Sequence, residues 1–119
     1  MSETFKWCKD KSRLAIWDKQ VFCIDECGDK CWYLNGKKHR VDGPAIECAN
    51  GNKVWCLNDK LHRENGPAVE YANGTKEWYL NGKRHRVDGP AFEFANGDKW
   101  WCLNGRQYSE SDYWKELKK

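Results

Sequence analysis

Four tryptophans set the frame of this chain. Trp32, Trp55, Trp78 and Trp101 lie 23 residues apart, and each opens the same phrase: Trp32-Tyr33-Leu34-Asn35-Gly36, Trp55-Cys56-Leu57-Asn58, Trp78-Tyr79-Leu80-Asn81-Gly82 and Trp101-Cys102-Leu103-Asn104-Gly105. After the first three the phrase runs on through His-Arg (39–40, 62–63, 85–86), Asp/Asn-Gly-Pro-Ala (42–45, 65–68, 88–91) and Ala-Asn-Gly (49–51, 72–74, 95–97). A fixed period of this length makes each copy one small supersecondary unit. Such a unit cannot bury an apolar face alone, so it must stack on its neighbours.

Each unit carries two turn signals. One series is Asn50-Gly51, Asn73-Gly74 and Asn96-Gly97; the other is Asn35-Gly36, Asn81-Gly82 and Asn104-Gly105, with Asn58-Asp59 as its variant. Asn-Gly between short alternating runs is a strong hairpin signal. Read as a two-residue turn, Asn50-Gly51 pairs Ile46 with Trp55 and Cys48 with Lys53. Ile46, Cys48, Trp55 and Leu57 then share one face, and Ala45, Glu47, Val54 and Cys56 the other. Stacking generates columns: the four tryptophans, Leu34/Leu57/Leu80/Leu103 beside them, and Ile46/Val69/Phe92. Pro44, Pro67 and Pro90 supply no backbone donor and belong ahead of strands, not inside them.

The expected fold is therefore all-β: a single-layer antiparallel sheet of repeated hairpins, eight to ten strands and roughly 40 Å long, with a short C-terminal helix. It forms one domain over 1–119, with a degenerate N-terminal cap (1–31), repeats (32–105) and a C-terminal cap (106–119). In the N-terminal cap, Trp7-Cys8-Lys9-Asp10 is a worn copy of Trp55-Cys56-Leu57-Asn58, and Leu14–Trp17 and Val21–Ile24 read as strands. The helix is signalled by Ser109-Glu110-Ser111-Asp112, which has the form of a capping box, followed by Trp114 and Leu117.

Composition fits a thin sheet. Hydrophobic residues are 39% and charged residues 33% of 119, so little aliphatic bulk is on offer, while eight Trp supply large buried areas in its place. The net charge of +3 permits an acidic partner without calling for one. No apolar stretch approaches the ~18 residues that span a bilayer, and Met1–Trp7 has no apolar signal core. A cytoplasmic location is expected, where the seven cysteines stay reduced.

The residues Asn81-Gly82-Lys83-Arg84-His85 and Asn96-Gly97-Asp98-Lys99-Trp100 resemble the MORN repeat, and more closely its bacterial and viral variant form. The similarity covers about residues 21–105 and rests on the period and both Asn-Gly pairs. Where that family has a glycine soon after the His, this chain has Arg40, Arg63 and Arg86. The His-Arg-x-Asp-Gly-Pro-Ala version resembles repeats of phages and large DNA viruses. The resemblance implies a twisted single-layer sheet and a scaffold or protein-binding role. For a phage or viral protein, it implies a cytoplasmic inhibitor of a host enzyme or defence complex. Lipid binding, proposed for some members, does not fit the arginine departure, so no membrane partner is expected.

Three constellations could carry chemistry. His39-Arg40, His62-Arg63 and His85-Arg86, with Lys37, Lys38, Lys60, Lys83, Arg84 and Arg106 nearby, form a basic edge that could bind a partner, a nucleotide or nucleic acid. The structural alternative is an ion-pair ladder, because Glu47, Glu70 and Glu93 recur at equal spacing from the arginines, with Asp42, Glu64 and Asp88 closer by. Trp32, Trp55, Trp78 and Trp101, with Tyr33 and Tyr79, are either core packing or an exposed aromatic strip that a protein partner or a dimer mate would cover. Cys23, Cys27 and Cys31 are the candidates for zinc in a zinc-stabilised domain. Their spacing is not that of a zinc knuckle, and if Cys27-Gly28 is a two-residue turn, Cys23 and Cys31 face opposite sides. No cofactor motif is present. A catalytic role is not expected either, since catalytic sites are not copied three times in succession.

If the tryptophan column packs the sheet, Trp78→Ala, in its middle, lowers unfolding free energy by about 3–5 kcal/mol in chemical denaturation. A loss below about 0.5 kcal/mol would make Trp78 a surface residue.

Overall fold

The computed structural model describes the backbone of residues 4–7, 13–17 and 20–119, and side chains from Gln20 onward. The chain begins as a meander of four antiparallel strands, β1 (Thr4–Trp7), β2 (Arg13–Trp17), β3 (Gln20–Ile24) and β4 (Lys30–Leu34). The strands expected at Leu14–Trp17 and Val21–Ile24 are β2 and β3; most of the worn copy at Trp7–Asp10 lies outside the described residues. The repeats follow as very short strands: β5 (Lys37–Lys38), β6 (Ile46–Glu47), β7 (Lys53–Val54), β8 (Cys56–Leu57), β9 (Lys60–Leu61), β10 (Val69–Glu70), β11 (Lys76–Glu77), β12 (Tyr79–Leu80), β13 (Lys83–Arg84) and β14 (Phe92–Glu93). β15 (Lys99–Leu103), β16 (Arg106–Tyr108) and helix α1 (Glu110–Leu117) close the chain.

The main sheet runs β1-β2-β3-β4-β6-β7-β10-β11-β14-β15-β16, with β5 pairing β4, while β8-β9 and β12-β13 form two-stranded ribbons. Eleven strands at about 4.8 Å each account for the longest dimension of 52 Å, and the shortest, 19 Å, leaves room for one layer. The fold is thus an all-β single sheet, with more strands and greater length than expected. At Trp55 and Trp78 the chain changes partners, so what reads as one strand becomes two.

The two Asn-Gly series fold differently, and the difference overturns the expected register. Asn35 and Gly36 both have positive φ (53° and 81°), as do Asn58-Asp59, Asn81-Gly82 and Asn104-Gly105. These are two-residue turns in which both central residues are left-handed, the arrangement asparagine tolerates and glycine prefers. In the other series only the glycine is left-handed: Gly51 has φ 101° and donates to the Cys48 carbonyl, while the Cys48 N–H donates to the Asn52 carbonyl. The loop therefore holds three residues, with a left-handed glycine bulge. Ile46 pairs with Val54 and Glu47 with Lys53, not Ile46 with Trp55 and Cys48 with Lys53. The one-residue shift moves Val54 to the face of Ile46 and Trp55 to the face of Glu47. The turn at Asp25–Asp29 closes the same way, with Gly28 at φ 90°, so Cys23 lies directly opposite Cys31 and not on the other side of the sheet.

Two rows of side chains result. One runs Cys31-Ile46-Val54-Val69-Glu77-Phe92-Trp100 across successive strands. It is the apolar row, with Val69 and Phe92 buried; its one charge, Glu77, is buried and accepts from the Tyr79 hydroxyl at 2.7 Å. The next row, on the opposite face, reads Lys30-Glu47-Lys53-Glu70-Lys76-Glu93-Lys99, a strict alternation of sign in which each inner member has opposite charges on both sides. Beyond these rows, Ala45, Ala68 and Ala91 form a fully buried column, and Cys56 and Cys102 are buried in the column that Tyr33 and Tyr79 share.

Cys27, Cys31, Cys48, Cys56 and Cys102 are free thiols, and among the described residues there is no disulfide. Burial pushes the thiols of Cys31, Cys48, Cys56 and Cys102 above their ordinary 9.0, and it raises the phenols of Tyr33, Tyr71, Tyr79 and Tyr113. Groups that lose protons more readily in the unfolded chain than in the folded one stabilise the fold fully below their unfolded values. That stabilisation disappears as pH climbs through the raised folded values. Unfolding free energy in reducing buffer is expected to stay level up to about pH 9 and fall above it. An unfolding free energy that stays level or rises above pH 9 would contradict this.

Candidate functional site

The arginines that the sequence places along a basic edge turn inward. The guanidinium carbon of Arg40 lies 3.8 Å from the ring centre of Trp32, Arg63 lies 3.8 Å from Trp55, and Arg86 lies 3.9 Å from Trp78. Each Nη1 donates to a proline carbonyl of its own repeat, at 3.0–3.1 Å, on Pro44, Pro67 and Pro90. The same Nη1 donates to a carboxylate, Glu47 or Glu70 at 2.8 Å and Glu93 at 2.6 Å. Arg40 and Arg86 also reach Asp42 and Asp88 through Nε, at 3.2 and 2.9 Å; Asn65 stands at the equivalent position beside Arg63, and Glu64 faces His62 instead, at 3.6 Å. The guanidinium lies flat on the glycine that follows. A Cβ built on Gly43, Gly66 or Gly89 would come within 2.8–2.9 Å of the arginine Cζ. These glycines have ordinary φ, so closeness, not handedness, requires them.

The histidines tie neighbouring repeats together. Nδ1 of His39, His62 and His85 accepts from the backbone N–H of Asn58, Asn81 and Asn104, at 2.9–3.0 Å, which places the proton of the neutral ring on Nε2. Arg40, Arg63 and Arg86 add backbone bonds to the carbonyls of Cys56, Tyr79 and Cys102 in the next repeat. Of the residues marked for the basic edge, Lys38 and Arg84 are exposed, and Arg84 also caps the rings of Phe92 and Trp100 at 5.0 and 5.7 Å. Lys37, Lys60, Lys83 and Arg106, near that edge, are exposed as well and fall in a column one repeat apart.

Between successive repeats the loop of one and the tryptophan of the next enclose a groove. One, of about 680 Å³, lies between residues 40–44 and Trp55 and Leu57; a second, of about 380 Å³, lies between residues 63–66 and Trp78 and Leu80. A third, of about 470 Å³, flanks Trp32, Tyr33 and Leu34. All three are lined by the His-Arg pair, and Val41 and Val87 stand at their rims, 84% and 57% exposed. The sequence reading did not find these valines. The available signal was an apolar residue held between Arg and Asp in a turn, with Glu64 breaking the series.

The last groove is narrowed by the chain itself, leaving about 440 Å³ between His85, Val87, Leu103 and Tyr108 and the helix residues Glu116 and Leu117. Ser109 takes the position that Arg40, Arg63 and Arg86 hold in earlier repeats, and it caps α1 instead, accepting from the Asp112 N–H at 3.2 Å. Tyr113, fully buried, lies on Trp101 with ring centres 5.0 Å apart, and Trp114 packs against both rings. The Tyr113 hydroxyl donates to the Arg86 carbonyl and accepts from the Gly89 N–H. The helix thus covers the end of the tryptophan column.

Cys23 and Cys31 are cross-strand neighbours, while Cys27 lies exposed in the turn. Among the described residues no three of His, Cys, Asp and Glu gather as a metal site, and no helix is long and apolar enough to cross a membrane. Comparison with models of known families, with curated proteins and with solved structures finds no match.

The arginine and its glycine form one unit, so their substitutions should not add. Gly66→Ala is expected to cost about 2–3 kcal/mol in the native background, since a side chain must be displaced from a packed site, and much less in Arg63→Ala, where the guanidinium is gone. A double-mutant cycle with a coupling energy under about 0.5 kcal/mol would contradict the stacked geometry.

Proposed function

We propose that this is a non-catalytic, protein-binding repeat module that takes its partner on the grooved face. The observation that carries the reading is the row of open grooves, rimmed by exposed Val41 and Val87 and floored by tryptophan and leucine. Apolar side chains held on stiff, half-covered aromatic floors suit protein recognition, where a few rigid anchors carry most of the binding energy. The resemblance to MORN-type repeats points the same way. If the chain belongs with the phage and viral repeats, the partner is a host enzyme or defence complex and the setting is the host cytoplasm.

A second reading has its own support. Lys37, Lys60, Lys83 and Arg106 are exposed and recur once per repeat, the periodicity a phosphate backbone could follow. The arginines argued from sequence for this role support it less, because their guanidinium groups are already engaged with Trp, Pro and Glu.

Affinity capture with the wild type and with Val41→Asp/Val87→Asp separates the two. Both valines are exposed, so each change should alter stability by less than about 0.5 kcal/mol. The protein-binding reading expects a partner retained in roughly 0.5 M salt and lost with the double variant; nucleic-acid binding expects affinity to fall steeply with log salt in both proteins alike. A partner held equally by both proteins at high salt would overturn the grooved face as the binding surface.

A further inference from the structure

We infer that the two inner grooves, beside Trp55 and Trp78, are tyrosine sockets, and that the partner presents a tyrosine to them. The proposal rests on the protein-binding reading above and names the chemistry of the partner.

The chain supplies its own template. At the end of the array, the slot between the 86–89 loop and Trp101 holds Tyr113, its ring on the indole and its hydroxyl between the Gly89 N–H and the Arg86 carbonyl. One repeat back, the same elements recur as the 63–66 loop and Trp78; two repeats back, as the 40–44 loop and Trp55. There the matching backbone groups, the N–H of Gly66 and Gly43 and the carbonyls of Arg63 and Arg40, have no hydrogen-bond partner among the described residues. Each slot therefore presents one donor and one acceptor in a fixed relation, beside an aromatic wall. A phenol hydroxyl both donates and accepts, and its ring is apolar, so it satisfies all three features; a phenylalanine ring leaves the polar pair unmet.

The inner slots have no helix over them, and an arginine stands there where the last repeat has Ser109. Their tryptophans already carry Arg63 or Arg86 on one face, and the open space of about 680 or 380 Å³ is bounded by that pair and by the preceding loop. Both volumes fall within the ~300–1,000 Å³ of small-molecule sites, ample for one phenol ring. The arginine adds a cationic edge that also favours an electron-rich ring. In the last repeat, with Ser109 in the arginine's place, a tyrosine of the same chain lies beside Trp101 and bonds the 86–89 loop, which shows that this wall and this loop accept a phenol.

The test is a titration of isotope-labelled full-length protein with N-acetyl-tyrosinamide and with N-acetyl-phenylalaninamide, followed by amide resonances. The Gly43 and Gly66 amides are expected to shift saturably with the tyrosine compound, with Kd of roughly 1–10 mM for so small a ligand, and at least about tenfold more weakly with the phenylalanine compound. The Gly89 amide, already bonded to Tyr113, should not move. Tyr113→Ala should make Gly89 respond as the other two do; if that variant does not fold, the wild-type titration decides alone. Equal response to both compounds, or no response at Gly43 and Gly66, overturns the sockets. Partner capture that still depends on Val41 and Val87 would, in that event, leave the groove as a binding face without its tyrosine specificity.

Discussion

The fold depends on a guanidinium group held between an indole and a glycine. In each of three repeats an arginine stacks on the tryptophan that opens the repeat, lies against the glycine of the turn that follows, and bonds the next proline carbonyl and a glutamate. A cation over an aromatic face contributes on the order of 0.5–2 kcal/mol when partly desolvated, and the planar fork suits a carboxylate as an ammonium would not. This contact ties a strand, a turn and the start of the next strand to one side chain. A single-layer sheet has no second layer to bury its aromatic face, and the arginine serves as that cover. The charge is consumed in the fold, which is why a column that reads as a basic surface offers little free charge to solvent.

Much of this was legible from spacing alone. The 23-residue period, the all-β class, the arginine–glutamate pairing and the capping serine of the terminal helix follow from residue types at fixed intervals. The face of each residue did not. Asn50-Gly51 and Asn35-Gly36 are the same dipeptide, yet only in the second do both residues adopt left-handed backbone. The first closes a three-residue loop, and the added residue sends Trp55 to the side of Glu47 and Lys53 and brings Val54 opposite Ile46. A dipeptide does not record which turn it makes, because that choice is set by the pairing of strands on either side. The grooves were illegible for a related reason: Val41 and Val87 look like ordinary apolar residues until the turn that lifts them out is known.

The end of the array is unlike its middle. At the C-terminal end, Ser109 replaces the stacking arginine and becomes a helix cap, and Tyr113 covers the indole from outside the repeat. The same exposed ring is thus met in two ways, by a cation from within the repeat or by a phenol delivered on a helix. The histidine bridges, each reaching forward to the asparagine of the next repeat, stop there as well, with Tyr108 where another histidine would stand.

The alternating lysine–glutamate row has a consequence for how such a chain finds its register. Near-identical units can mispair in two ways. A slip by one strand sets lysine beside lysine and glutamate beside glutamate along the whole row, so the error carries an electrostatic penalty. A slip by a whole 23-residue unit leaves every charge pair intact and passes unnoticed. The charge pattern is therefore a parity check: it detects odd errors and is blind to even ones. Counting whole units falls to the features that occur only once, Glu77 in the apolar row, Asn65 beside Arg63, and the helix that will seat on no tryptophan but the last.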